Sequence, residues 1–249
     1  MKVISFLNIK GGVAKTTSAI NITAELGKLG YKTLLVDLDP QANASYCMPH
    51  KKGITSFEVL GNFNLVNEIA STTYKNVYII TAGIDLVKYE SKLDKENKTT
   101  ECQLDLYLES IKDNFDFVLI DCPPSLGMLS TNALVASDYV LVPIKIDNFA
   151  LLGLDYLISC IEQVKQDFNP KLKLLGIFIT LDERSNINKQ IKRDIEQAFG
   201  DKFFKQTIRK NVDVVKSTFE NIPVSYYNKK ANAAKDYKEL TREVLACLI

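Results

Sequence analysis

The ten residues Asn8-Ile9-Lys10-Gly11-Gly12-Val13-Ala14-Lys15-Thr16-Thr17 constrain this chain more than any other stretch. An apolar, β-branched run, Val3-Ile4-Ser5-Phe6-Leu7, precedes them. Beyond them Ala19, Ile22, Leu26 and Leu29 recur at three- and four-residue steps, the period of a helix buried on one face. Strand, glycine turn and helix start form the context of a phosphate-binding loop. Small residues let the backbone wrap phosphate oxygens, and the unpaired N–H groups of the first helical turn point at them. Lys15 supplies a point charge for the β- and γ-phosphates and Thr16 a hydroxyl for magnesium. Lys10 has no required role in a simple loop of this kind, and on spacing alone it reads equally as a solvated lysine.

Two further strands end in acids. Thr33-Leu34-Leu35-Val36-Asp37 runs into Leu38-Asp39-Pro40-Gln41-Ala42-Asn43, and Phe117-Val118-Leu119-Ile120-Asp121 runs into Cys122-Pro123-Pro124-Ser125. Continuous apolar runs read as parallel strands buried on both faces. Carboxylates at their C-terminal ends lie where open α/β sheets bind ligands. An apolar strand ending in Asp behind a phosphate loop is the arrangement that supports magnesium. Strands are also expected at Val77–Ile80, Tyr139–Ile144 and Leu172–Thr180, and helices at Leu126–Ser137, Ala150–Gln166, Asn188–Phe199 and Ala231–Leu248. Phe57–Leu60 and Leu65–Ile69 read as short helices, Cys47–Thr55 as a mobile loop and Asp94–Lys98 as a polar loop. With no repeat or low-complexity linker, residues 1–249 are expected to form a single α/β domain with one doubly wound, mostly parallel sheet.

Composition removes other classes. No run is long enough to cross a bilayer, and the N-terminus enters a strand directly, so no signal peptide is expected. The five cysteines are dispersed without a C-x-x-C pair, which reads as reduced thiols in a cytoplasmic protein. His50 is the only histidine, so histidine triads and multi-histidine metal sites are excluded. Net charge is +1, but between Arg184 and Arg242 basic residues outnumber acidic ones two to one. A basic face on a neutral protein suits a polyanion, and equally a solvated helical surface.

The loop Lys10–Thr16, the segment Asp37–Asn43, the segment Asp121–Ser125 and Thr131-Asn132-Ala133-Leu134 together resemble the ParA/Soj/MinD family of dimerising ATPases, over essentially the whole chain. The likeness is greatest to the short Soj-type proteins without an N-terminal helix-turn-helix. It implies ATP and Mg2+ as cofactors and slow hydrolysis completed by a partner. It assigns nucleotide contacts to Lys10, Gly11, Gly12, Val13, Ala14, Lys15, Thr16, Thr17 and Asn211. Magnesium falls to Thr16, Asp39 and Asp121; catalysis falls to Lys10, reaching a facing subunit, Lys15, and Asp39, orienting the attacking water. It further implies an ATP-state homodimer, non-specific DNA binding through Arg184 and Lys210, a ParB-type centromere-binding partner, and a cytoplasmic, nucleoid-associated prokaryotic protein with no membrane contact.

Three positions depart from the family pattern. Ala14 stands where glycine is usual, Arg209 replaces the proline of I-P-R-N-V, and Asp213 replaces a DNA-contacting arginine. A MinD-like, membrane-associated positioning ATPase is the alternative. Its detachable amphipathic tail would correspond to Tyr237–Ile249, where basic and acidic residues alternate and a helix packed on the core is expected instead. An iron-protein-like reductase needs a cysteine pair at cluster spacing, which Cys122 and Cys160 do not make.

Overall fold

The computed structural model describes residues 1–61, 69–92, 100–147, 150–183 and 185–248. The helix expected over Leu65–Ile69 falls, apart from Ile69, outside them, as do the loop Asp94–Lys98, Arg184 and Ile249. Strands and helices alternate from the start: β1 (Lys2–Phe6), α1 (Lys15–Lys28), β2 (Thr33–Asp37), α2 (Asn43–Tyr46), α3 (Ser56–Gly61), β3 (Ala70–Ser71), β4 (Val77–Ile80) and α4 (Leu86–Lys92). There follow α5 (Gln103–Ser110), β5 (Phe117–Asp121), α6 (Met128–Val135), β6 (Tyr139–Lys145), α7 (Ala150–Asp167) and β7 (Lys173–Thr180). The last part holds α8 (Asn186–Phe199), α9 (Val212–Phe219), α10 (Val224–Tyr227) and α11 (Asn232–Leu248).

The seven strands form one sheet in the order β3-β4-β2-β5-β1-β6-β7. All neighbours are parallel except the two-residue edge strand β3, which runs antiparallel to β4. β1 lies between β5 and β6. The crossover through α1 therefore leads to one side of the sheet and the later crossover through α6 to the other, which puts a crevice at the C-terminal end of β1.

Side chains of β2 and β5 alternate between two apolar layers. Leu34, Val36, Val118 and Ile120 meet Leu104, Leu108, Leu129, Leu157 and Ile161 on one face. Leu35 and Leu119 meet Ile22, Leu26, Tyr237, Leu240 and Val244 on the other. Each such leucine, fully buried, contributes roughly 1.5–3 kcal/mol. The terminal helix α11 belongs to this second layer, as its alternating charges lead one to expect. Among the described residues no helix is long and apolar enough to cross a membrane.

Cys47–Thr55 is an irregular loop, hydrogen-bonded to the segment around β3: Lys51 N donates to Ser71 O (3.1 Å) and Thr73 N to Pro49 O (3.0 Å). β3, of two residues, and α10, of four, are too short for a period to show. Past α8, residues 203–210 run alongside β7 without forming a full strand. Ile208 N donates to Ile179 O (2.8 Å), Asp182 N to Ile208 O (2.9 Å) and Lys210 N to Asp182 O (3.1 Å). Gly176 permits this approach, because a Cβ there would sit 2.3 Å from the Phe204 ring.

Candidate active site

The loop between β1 and α1 is fixed at three points. Asn8 Nδ2 donates to Pro143 O (2.8 Å) while Asn8 Oδ1 accepts from Lys10 N (2.9 Å). From the end of β7, the Thr180 hydroxyl donates to Val13 O (2.9 Å). Gly12 (φ 71°) and Ala14 (φ 62°) are both left-handed. Such turns aim successive N–H groups into one concavity. A Cβ added at Gly11 or Gly12 would meet nothing within 4 Å, so the inner side of the loop is open. Ala14 precedes α1 with no side-chain cap, and the first turn carries no acidic residue. The helix therefore begins with unpaired N–H groups and an uncompensated positive end, a ready site for phosphate.

Ala14, standing where glycine is usual, itself adopts the left-handed conformation, at a cost of about 1–2 kcal/mol.

Lys15 is buried, its Nζ 3.4 Å from Lys10 O. Burial lowers its pKa, while Asp121, Cys122 and Asp39 act to raise it. Asp121 lies at the C-terminal end of β5, in register with Phe6 of β1 and Asp37 of β2. It has no solvent exposure, and neither carboxylate oxygen has a hydrogen-bond partner. Desolvation and then the charge of Asp37 push its pKa well above the carboxylate range, opposed by the Thr16 side chain and Lys15. Asp37, equally buried, accepts from Ser45 N (2.8 Å), Ser45 Oγ (2.7 Å) and Asp39 N (3.1 Å). Its pKa is pushed up to about 6, chiefly by desolvation. Asp39 follows in a turn, its Oδ1 accepting from Gln41 N (2.9 Å).

These residues fit the cofactors expected. Two buried carboxylate oxygens with no hydrogen-bond partner, beside a threonine hydroxyl and a lysine, suit a cation, and the open loop suits an anion. Among the described residues no three His, Cys, Asp or Glu side chains converge as a metal cage. Magnesium bound largely through nucleotide phosphates and water needs none.

The other expected residues lie farther out. Lys10 pairs through its ammonium with Asp147, just past β6, while its backbone carbonyl faces Lys15. Asn211 caps α9, accepting from Asp213 N (2.7 Å). Lys210 Nζ pairs with Glu183 (2.5 Å), and Arg184 lies outside the described residues. Asp213, the departure from arginine, accepts from Asn228 Nδ2 (3.1 Å) and so braces α9. The sequence carries no sign of Asp147 or Thr180 as parts of this region. Asp37 was legible as a strand-ending acid, but not as the buried neighbour of Asp121.

A family model described as an AAA domain matches residues 1–174. The chain is 39% identical over 247 residues to the chromosome-partitioning ATPase Soj of Treponema pallidum, covering 98% of this chain and 97% of that protein. To the sporulation initiation inhibitor protein Soj of Bacillus subtilis it is 36% identical over 250 residues, covering 98% of each. Among solved structures, the cobyrinic acid a,c-diamide synthase of Mycobacterium smegmatis with bound ATP analogue and magnesium is 31% identical with a TM-score of 0.83, covering 98% of this chain and 94% of that one.

Proposed function

The chain belongs to the ParA/Soj family of partitioning ATPases, and from that premise we propose that it is a nucleotide-timed DNA anchor. With ATP bound it forms a homodimer that grips DNA without sequence preference; hydrolysis, hastened by a ParB-type partner, releases it. This cycle drives the partitioning of a plasmid or chromosome and keeps the protein on the nucleoid.

The observation that carries the reading is the pairing of an open phosphate loop with an orphaned buried carboxylate. Lys15 and the N–H groups of Gly11 to Thr17 hold the phosphates, and Asn211 borders the adenine. Thr16 and Asp121, with Asp39 beside them, would hold magnesium, which supplies charge neutralisation at the β- and γ-phosphates. Asp39 orients the attacking water. Lys10 leaves Asp147 to reach the nucleotide of the facing subunit, so that the site is complete only in the dimer. Catalysis of this kind rests on positioning and charge, and a lone subunit hydrolyses slowly. Lys210 and Arg184 contribute to DNA binding.

DNA binding with ATP, ADP or no nucleotide, across a salt series and beside Lys15→Ala, tests the proposal. ATP-specific, salt-sensitive binding lost in the variant is expected. ATP-dependent flotation with liposomes, without DNA binding, would replace it by the MinD-like alternative.

A further inference from the structure

Arg209 occupies the position where the family pattern has proline, and it makes the most heavily bonded ion pair among the described residues. Its Nε lies 2.9 Å from Asp236 Oδ2 and 3.2 Å from Oδ1, and its Nη2 lies 2.6 Å from Oδ1. The backbone N–H of the same residue also donates to Asp236 Oδ2 (3.0 Å). One carboxylate, only 5% exposed, thus holds both the side chain and the main chain of a single residue.

We propose that Arg209 is a positioning residue for ATP: its fork on Asp236 fixes the segment that carries Asn211 to the base. The inference rests on the nucleotide reading above and concerns the adenine side of that same site.

The geometry supplies the path. Residues 208–210 are hydrogen-bonded on one side to Ile179 and Asp182. Thr180, between those two, holds the phosphate loop at Val13. On the other side Asp236 belongs to α11, and its neighbour Tyr237 lies 3.2 Å, hydroxyl to hydroxyl, from Ser18 of α1. The segment is clamped between β7 and α11, both of which touch the elements that hold phosphate. Asn211 follows two residues later. Proline restricts φ through its ring; arginine leaves φ free, and here the side-chain fork supplies the restraint. With the Arg209 side chain 40% exposed, the attraction of the two charges is screened by solvent and adds little to stability. What the bidentate fork adds is a defined distance and angle.

The experiment is titration calorimetry of the full chain with Mg–ATP and, separately, with Mg–tripolyphosphate, which has no base. Wild type is compared with Arg209→Ala, Asp236→Ala and the double variant, with folding checked by circular dichroism. Expected is an ATP affinity reduced about tenfold in each single variant and no further in the double, the signature of two residues acting as one unit. Tripolyphosphate affinity is expected to stay within about twofold of wild type, because the phosphate loop is untouched. Unchanged ATP affinity, an equal loss for both ligands, or single losses that multiply in the double variant would each overturn the proposal. Should Arg209→Ala fail to fold, Arg209→Lys, which keeps the charge and loses the fork, carries the same test with about a threefold loss expected. A wild-type protein that binds tripolyphosphate but not ATP refutes the clamp; one that binds neither refutes the nucleotide reading and the clamp with it.

Discussion

Asp37 and Asp121 are register partners on adjacent parallel strands, and both are fully enclosed at the C-terminal edge of the sheet. The two side chains share one dry environment; desolvation raises both pKa values, and the charge of Asp37 raises that of Asp121 further. A carboxyl whose folded pKa exceeds its unfolded value binds more protons in the native state, so stability falls as pH rises between the two values. For Asp37 that window runs from the ordinary value of 3.8 to about 6; Asp121, raised in the same direction, acts with the same sign. The nucleotide-free protein is therefore expected to melt at a higher temperature at pH 5.5 than at pH 7.5, with the difference reduced in Asp121→Asn. Melting curves without magnesium or nucleotide test this. The same variant should lose more than about 100-fold in hydrolysis, since removing a charge-stabilising group from the reacting phosphates costs a few kcal/mol.

Ala14 holds a left-handed conformation that costs alanine about 1–2 kcal/mol. Glycine would remove that cost but return about 0.4–1 kcal/mol of chain entropy to the unfolded state. Ala14→Gly is thus expected to stabilise the protein by about 0.5–1 kcal/mol. Urea denaturation would register this as a higher midpoint at unchanged slope.

Lys10 and Lys15 separate cleanly. Lys15→Ala removes the charge at the phosphates and should weaken ATP binding at least about tenfold, more than 1.4 kcal/mol. Lys10→Ala, whose side chain is committed to Asp147 within its own subunit, should leave ATP binding by the monomer within about twofold while abolishing hydrolysis. Binding and turnover assays on both variants give the comparison. An equal loss of ATP affinity in the two would contradict the assignment of Lys10 to the facing subunit.

Lys210 and Glu183 form an exposed pair, 68% and 56% accessible. Exposed pairs are weak and screened by salt, worth at most about 1 kcal/mol. Glu183→Gln is expected to raise DNA affinity about two- to threefold at low salt, because Lys210 no longer has to leave a partner. Lys210→Ala should lower affinity and reduce the salt slope by about one. A salt-series titration with the ATP-bound protein checks both.

Leu240 of α11 is fully buried against the core. Leu240→Ala is expected to destabilise the whole protein by about 2–5 kcal/mol, as a cavity in a packed layer does. A tail that detaches from the body would show almost no change in the global melting transition.

The phosphate loop, the acids at the ends of β2 and β5 and all the parallel strands were legible because each is written in contiguous residues: a glycine turn, an apolar run, a terminal carboxylate. The contacts that join the loop to its surroundings were not. Lys10 and Asp147 are 137 positions apart and Thr180 and Val13 are 167 apart, with no local pattern to link them. Arg209 read as a departure from proline, while its partner Asp236 lay unmarked within a helix of alternating charge. β3 is an alanine and a serine, too short for any period to reveal.

The placement of β1 sets an order on synthesis. Of the seven strands, the one made earliest is the one whose neighbours come late: β5 begins at Phe117, β6 at Tyr139, and the Thr180 latch later still. Until then the glycine-rich segment has no frame to hold its curvature, and the apolar run behind it has no sheet to enter. A nascent chain of this protein keeps β1 unpaired until the residues from Phe117 onward have been made, so the segment that is to hold phosphate is exposed to chaperones before it has a frame.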